Sequence, residues 1–251
     1  MHFHHHLPLT IIGLAAGTGS ALLGIGGGLI LIPGLVILTR MEMQQAVALS
    51  LVSAVPIATF SALLYTFGNF QSVQWLLIAS LIVGGVIGSW LGVHLLHEVS
   101  HKYATYFFAG LLVLLSLHFI NFLTLPSTVT IPSSFALLLG LPVGIISGFF
   151  GITGGVVLVP TLIQVFGFDP AIAVMTSLLC LTPIAGAGAY MHHAKNIMPY
   201  ATVGTIVLGA FAGVLVGMSI APHVSAQALT NFFAVLLIVI AAYMAHSAYK
   251  E

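Results

Sequence analysis

Charge is what this chain lacks. Its 251 residues include four Lys or Arg and four Asp or Glu, so 3% are charged while 60% are hydrophobic. A soluble globular domain carries about 25% charged residues, and a water-facing surface cannot be covered with so few. The formal net charge is zero and there is no basic stripe, which excludes nucleic acid as a partner. The single cysteine, Cys180, excludes a disulfide framework and a cysteine metal cluster. Long apolar runs without alternation exclude an outer-membrane barrel, so the spans are helices. No charged region followed by a small-residue cleavage site opens the chain, so no cleaved signal peptide is expected. His2, His4, His5 and His6 form a tract that reads as native, as metal-binding or as a purification remnant.

What the chain has is apolar length. A helix needs about 20 apolar residues to cross a bilayer core. Apolar stretches cover approximately 7–39, 43–67, 73–96, 103–123, 134–168, 170–191, 197–221 and 226–249. Arg40, Glu42, Glu98, Lys102, Asp169, Lys195, Lys250 and Glu251 all fall between stretches or at the C-terminus.

The chain repeats itself. Gly24-Ile25-Gly26-Gly27-Gly28-Leu29-Ile30-Leu31-Ile32-Pro33 returns as Gly151-Ile152-Thr153-Gly154-Gly155-Val156-Val157-Leu158-Val159-Pro160, an offset of 127. The same offset pairs Ser20 with Ser147, Ser50 with Ser177, Pro56 with Pro183 and Asn69 with Asn196. Beyond a two-residue deletion it becomes 125, pairing Gly84, Gly88 and Gly92 with Gly209, Gly213 and Gly217. One register that aligns Pro, Ser and Asn as well as Gly indicates duplication into repeats 1–125 and 126–251.

Leu7 to Thr39 would be about 50 Å long as one helix, too long for a single crossing, at 1.5 Å per residue. It is interrupted at Gly24–Gly28, where each glycine costs a helix about 1 kcal/mol. Stretch 134–168 is interrupted in the same way at Gly151–Gly155. Two hairpins of half-helices are therefore expected. With hairpins, Arg40, Lys102, Lys195 and Lys250 all lie on one side, which the positive-inside bias makes the cytoplasm. Each repeat then makes three net crossings and the second is inverted. Single cysteines at Thr128 and Asp169 are expected to label from the outside.

Broken helices in inverted-repeat transporters meet near the midplane, with N-termini facing anionic groups. Free N–H groups and the positive end of the helix dipole attract an anion without a buried cation. Gly26, Gly27, Gly28, Gly154 and Gly155 are the candidate backbone donors, with Thr153 an extra side-chain donor. On the next helix of each half, Ser50, Thr176 and Ser177 are candidates to complete the hydrogen bonds. Packing and back-bonding are the competing roles for such glycines and serines. No carboxylate is available for an intramembrane proton relay. No Gly-x-Ser-x-Gly or His-Glu-x-x-His motif occurs, so no catalytic residue is assigned and the chain is not read as an enzyme. His192 and His193 read as interfacial. His94, His97 and His101 share a helical face, which leaves a metal permease as an alternative; no metal ligand and no cofactor is assigned.

The duplicated Gly-rich element with its Pro, followed by Ala173, Thr176, Ser177 and Leu178, resembles the sulfite exporter TauE/SafE family, the TSUP transporters. In the first half the second element reads Ala46, Leu49, Ser50 and Leu51, without the Thr. The resemblance covers roughly 10–245. It implies a bacterial or archaeal plasma-membrane permease for small, often sulfur-containing anions such as sulfite or an organosulfonate. The resulting expectation is an all-α polytopic membrane protein of two inverted repeats, each a Gly-broken hairpin plus three transmembrane helices. It would export a small anion by alternating access, with the lipid bilayer and that anion as partners and the oligomeric state open between monomer and homodimer. A passive anion channel is the other alternative.

Overall fold

The computed structural model of the chain describes residues 3–119, 136–164, 166–194, 202–223 and 226–250. Thr128, Lys195 and Asn196 lie outside them. Among the described residues the regular elements are helices: α1 Phe3–Leu23, α2 Gly28–Thr39, α3 Met43–Asn69, α4 Trp75–Glu98, α5 His101–Phe119, α6 Ala136–Phe150, α7 Gly155–Gln164, α8 Pro170–Ala194, α9 Val203–Ile220 and α10 Ala226–Lys250. Four are long and apolar enough to cross a membrane: Met43–Phe67 within α3, α4, Pro170–His193 within α8, and α9. The repeat offsets carry α1–α5 onto α6–α10 one for one.

The repeats embrace each other. The most extensive packing of α1 is with α9, and that of α4 is with α6, so each helix seeks the other half. Glycine makes this close approach possible. A methyl group at Gly84, Gly88 or Gly92 would collide with the carbonyls of Leu137, Leu141 and Ile145. One at Gly209, Gly213 or Gly217 would meet those of Thr10, Leu14 and Thr18, the equivalent positions. These contacts advance together along both chains, so α4 runs parallel to α6 and α1 parallel to α9. At the centre, α3 packs on α8, and α5 on α10.

Helix directions settle the path of the interrupted segments. Gly85 abuts Ile184 and Gly188 abuts Ser89, so α4 also runs parallel to α8. It follows that α6 and α8 start at the same end of the bundle. The chain between them must come back along α7, making α6–α7 a hairpin rather than one bent crossing. Against α3 the order reverses: Gly188 meets Leu51, Gly186 meets Val55, and Val174 and Leu178 cluster with Ala58 and Ala62. Thus α3 and α8 are antiparallel. Their shared end, where α3 begins and α4 and α8 finish, also carries Arg40, Glu42, Glu98 and Lys102; exposed Asp169 precedes α8 at the other.

Candidate functional site

The two helix interruptions meet each other. Residues 24–28 and 151–155 are all buried. A methyl at Gly28 would overlap the Gly151 carbonyl and Ile152 Cα, and one at Gly155 the Gly24 carbonyl and Ile25 Cα. Two backbones this close leave no room for a side chain, which is why glycine occupies 28 and 155. The turns themselves run through the left-handed region: Gly24, Gly26 and Gly27 have φ of 67°, 64° and 83°, and Gly151 and Gly154 have 69° and 67°. Thr153, at the position of Gly26, has φ 52°. That conformation costs an L-residue about 1–2 kcal/mol and is least suited to a β-branched one.

Hydroxyls tie the interruptions together across the halves. Ser50 on α3 donates its O–H to the Gly151 carbonyl at 2.9 Å, and Ser177 on α8 donates to the Gly24 carbonyl at 3.0 Å. The two bonds are related by the repeat offset at both ends. Thr153 adds a third, donating to the Ile25 carbonyl at 2.5 Å, and Gly26 has no side chain to return it. So Ser50, Ser177 and Thr153, singled out as donors toward a solute, direct their protons here to the facing half. Thr176 stands beside Ser177, fully buried, its Oγ1 without a protein partner; its equivalent is Leu49. On the same face as Ser50, Ser53 is likewise buried and unpartnered, and its equivalent is Cys180.

The electrostatics are those of backbone alone. The Gly27 carbonyl receives the amides of Ile30 and Leu31, and the Gly154 carbonyl those of Val157 and Leu158. Helices α2 and α7 therefore both begin at the junction, and the amides of a helix's first turn have no acceptor within it. Each N-terminus carries about half a positive elementary charge. The start of α2 lies against the Gly151 carbonyl and that of α7 against the Gly24 carbonyl, while α1 and α6 bring their negative C-terminal ends to the same junction; no Asp or Glu sits within residues 3–39 or 136–164. Ser50, Ser177 and Thr153 engage the Gly151, Gly24 and Ile25 carbonyls of the breaks, and the first-turn amides of α2 and α7 have no acceptor within their own helices.

The pattern described as "Sulfite exporter TauE/SafE" matches residues 2–119 and 122–250, nearly the entire length. The chain belongs to that family. A "Probable membrane transporter protein YunE" of Bacillus subtilis (strain 168) is 24% identical over 92% of this chain and 94% of its own. A "Probable membrane transporter protein" of Xylella fastidiosa (strain Temecula1) is 31% identical over 39% of each chain. No solved structure matches. Family, relatives and long apolar helices together make this TauE/SafE member a multi-pass membrane transporter.

Two features of the site lay beyond the sequence reading. His192 is fully buried, its ring 5.3 Å from that of His97, because α4 continues past the end of α6 and lies along α8. His94 turns away, exposed and bonded to the Trp90 carbonyl at 3.0 Å. Among the described residues no group of three His, Cys, Asp or Glu converges as a metal site would need. Ser89 and Ser147 are the second omission: both are fully buried and neither Oγ has a protein partner. The signal available was a lapse in the repeat, since position 89 corresponds to Val214 and 188 to Ser61.

Proposed function

We propose that this transporter carries a small anion, sulfur-containing as in sulfite or an organosulfonate, out of the cell by alternating access. The observation that carries the reading is the meeting of two helix N-termini, from opposite halves, with no buried carboxylate between them. Gly26, Gly27, Gly28, Gly154 and Gly155 would offer amides to the anion once the halves part. Thr176, already beside the junction with an unused hydroxyl, would add a side-chain donor, and Ser50, Thr153 and Ser177 would be released toward it. In the packed arrangement seen here the junction is shut, so the reciprocal serine bonds act as the closed barrier. Breaking them toward one side and then the other is the cycle.

The halves are read as inverted repeats in the plasma membrane, with the end bearing Arg40 and Lys102, and by repeat logic Lys195 and Lys250, in the cytoplasm. Antiparallel α3 and α8 support this, since equivalent helices then cross in opposite directions. Each negative charge leaving a negative interior gains about 2.3 kcal/mol per 100 mV, so export needs no coupled ion. The test is counterflow in proteoliposomes. Vesicles loaded with unlabelled sulfite are expected to concentrate labelled sulfite transiently, and sulfoacetate in the same assay gauges the organosulfonate alternative. Flux without counterflow would make the protein a channel, and silence toward sulfite, sulfoacetate and sulfate would overturn the anion reading. Labelling of Asp169→Cys from outside and Lys102→Cys from inside tests the orientation.

A further inference from the structure

A cluster of departures from the repeat correspondence lies along the seam where α4, α6 and α8 adjoin. The equivalent seam, of α1, α3 and α9, is tied by hydrogen bonds. Ser20 Oγ lies 3.5 Å from Ser61 Oγ, Tyr65 donates its O–H to the Ala21 carbonyl at 2.7 Å, and Val214, the position equivalent to Ser89, is apolar and fully buried. In the seam of α4, α6 and α8, Ser147 stands where the other has Ser20, but Gly188 replaces Ser61, His192 replaces Tyr65, Ser89 replaces Val214 and His97 replaces Pro222. Ser89 tucks its hydroxyl against Gly188. The hydroxyls of Ser89 and Ser147 are buried without protein partners, and leaving a polar group so costs about 1–3 kcal/mol. The seam starts one helical turn from Gly151 and ends at the His97–His192 ring contact, at the end of the bundle that carries Arg40 and Lys102.

The geometry points to this seam as the inner route to the junction and to His97–His192 as a proton-operated gate across it. The inference rests on the anion-transport reading above. Water in an opened seam satisfies the hydroxyls that the closed seam leaves unpaired. Protonation of both imidazoles sets like charges about 5 Å apart in a low dielectric, and separation of α4 from α8 relieves the repulsion. Acid on that side therefore shifts the population toward the open seam. Among the described residues, the titratable groups on the elements packed around the pair are these. On α4, His94 and Glu98 are exposed; α3 carries Tyr65 at its far end; α6 and α7 carry no titratable residue; and on α8 itself His193 is exposed and Cys180 lies three turns away.

Thiol accessibility tests the gate without a substrate. In a Cys180→Ser background, Ser89→Cys reacts with a charged, water-soluble thiol reagent applied from the Lys102 side. Corrected for its thiolate fraction, the rate is expected to rise several-fold as the medium on that side is acidified. His192→Gln abolishes the rise, and so does His97→Gln, which guards against a folding failure in the first. Val214→Cys, the equivalent position in the seam of α1, α3 and α9, stays unreactive. A pH-dependence that survives both His variants, or Val214→Cys reacting as fast as Ser89→Cys, overturns the gate. Intact sulfite counterflow beside a negative labelling result removes this inference alone.

Discussion

Ser50 and Ser177 do the same work in the two halves, whereas Gly26 and Thr153 do not. The serines are equivalent, their acceptor carbonyls are equivalent, and their bond lengths agree within 0.1 Å. One residue before Gly27 and Gly154, by contrast, the first half uses a glycine free to adopt its left-handed turn. The second half uses a threonine held there by its bond to Ile25. A duplicated fold thus keeps the contacts that define its geometry and diverges where one half can bear a load alone. The shared contacts bind the halves into one unit, and the unshared ones make its two sides chemically distinct.

The largest effect is expected where the halves touch backbone to backbone. Gly28→Val and Gly155→Val each place a branched side chain against a carbonyl that cannot yield. Each is expected to cost more than about 3 kcal/mol and to abolish recovery of a monodisperse protein on size-exclusion chromatography. Survival of one variant but not the other would mean that the two interruptions are not equivalent supports.

Next come the serine bonds. Ser50→Ala and Ser177→Ala each strand a buried carbonyl, at about 1–3 kcal/mol. Thermal unfolding should show losses matching within about 0.5 kcal/mol. The double variant should depart from additivity, because both bonds close the same junction. Unequal losses would assign the barrier to one half.

Much of this was legible beforehand. The register at offset 127 follows from the recurring Gly-to-Pro element, and the hairpins and the clustering of Arg40 with Lys102 from span length and charge. What stayed hidden was the direction of the hydroxyls. Ser50 lies 26 residues from Gly24 and 101 from Gly151, and no periodicity says which carbonyl it meets; the crossing of α3 over α8 decides that. Thr153 in place of Gly26 was visible as a mismatch, but its left-handed φ was not. His192 sits at a span end beside Lys195, which suggests an interface. Its burial depends on α4 outrunning α6, a three-dimensional fact.

Thr153 offers a smaller and more informative effect. Thr153→Ala keeps the unfavourable φ and loses the bond to Ile25, so it should destabilise by about 1–2 kcal/mol. Thr153→Gly loses the same bond but removes the strain, and should be about 1 kcal/mol less damaging than Ala. The converse change, Gly26→Ala, adds strain with no bond and should behave worse than Thr153→Gly. A Gly variant as unstable as the Ala variant would show that the hydroxyl alone, not the conformation, distinguishes the halves.

The smallest effects should differ in sign between the two seams. Ser20 shares its hydroxyl with Ser61, so Ser20→Ala should lower stability by about 0.5 kcal/mol, the modest value of a long hydrogen bond. Ser147→Ala and Ser89→Ala remove hydroxyls that nothing in the folded protein satisfies, and should leave stability unchanged or raise it by up to about 1 kcal/mol. Thr176→Val is of the same kind and nearly the same shape, so its unfolding temperature should not fall. If Thr176 donates to the transported anion, however, sulfite counterflow should drop severalfold in that variant while stability holds or improves, the trade expected of a polar group retained for function. Equal flux in Thr176→Val and the parent would remove Thr176 from the solute's path and leave the backbone amides to bind it alone.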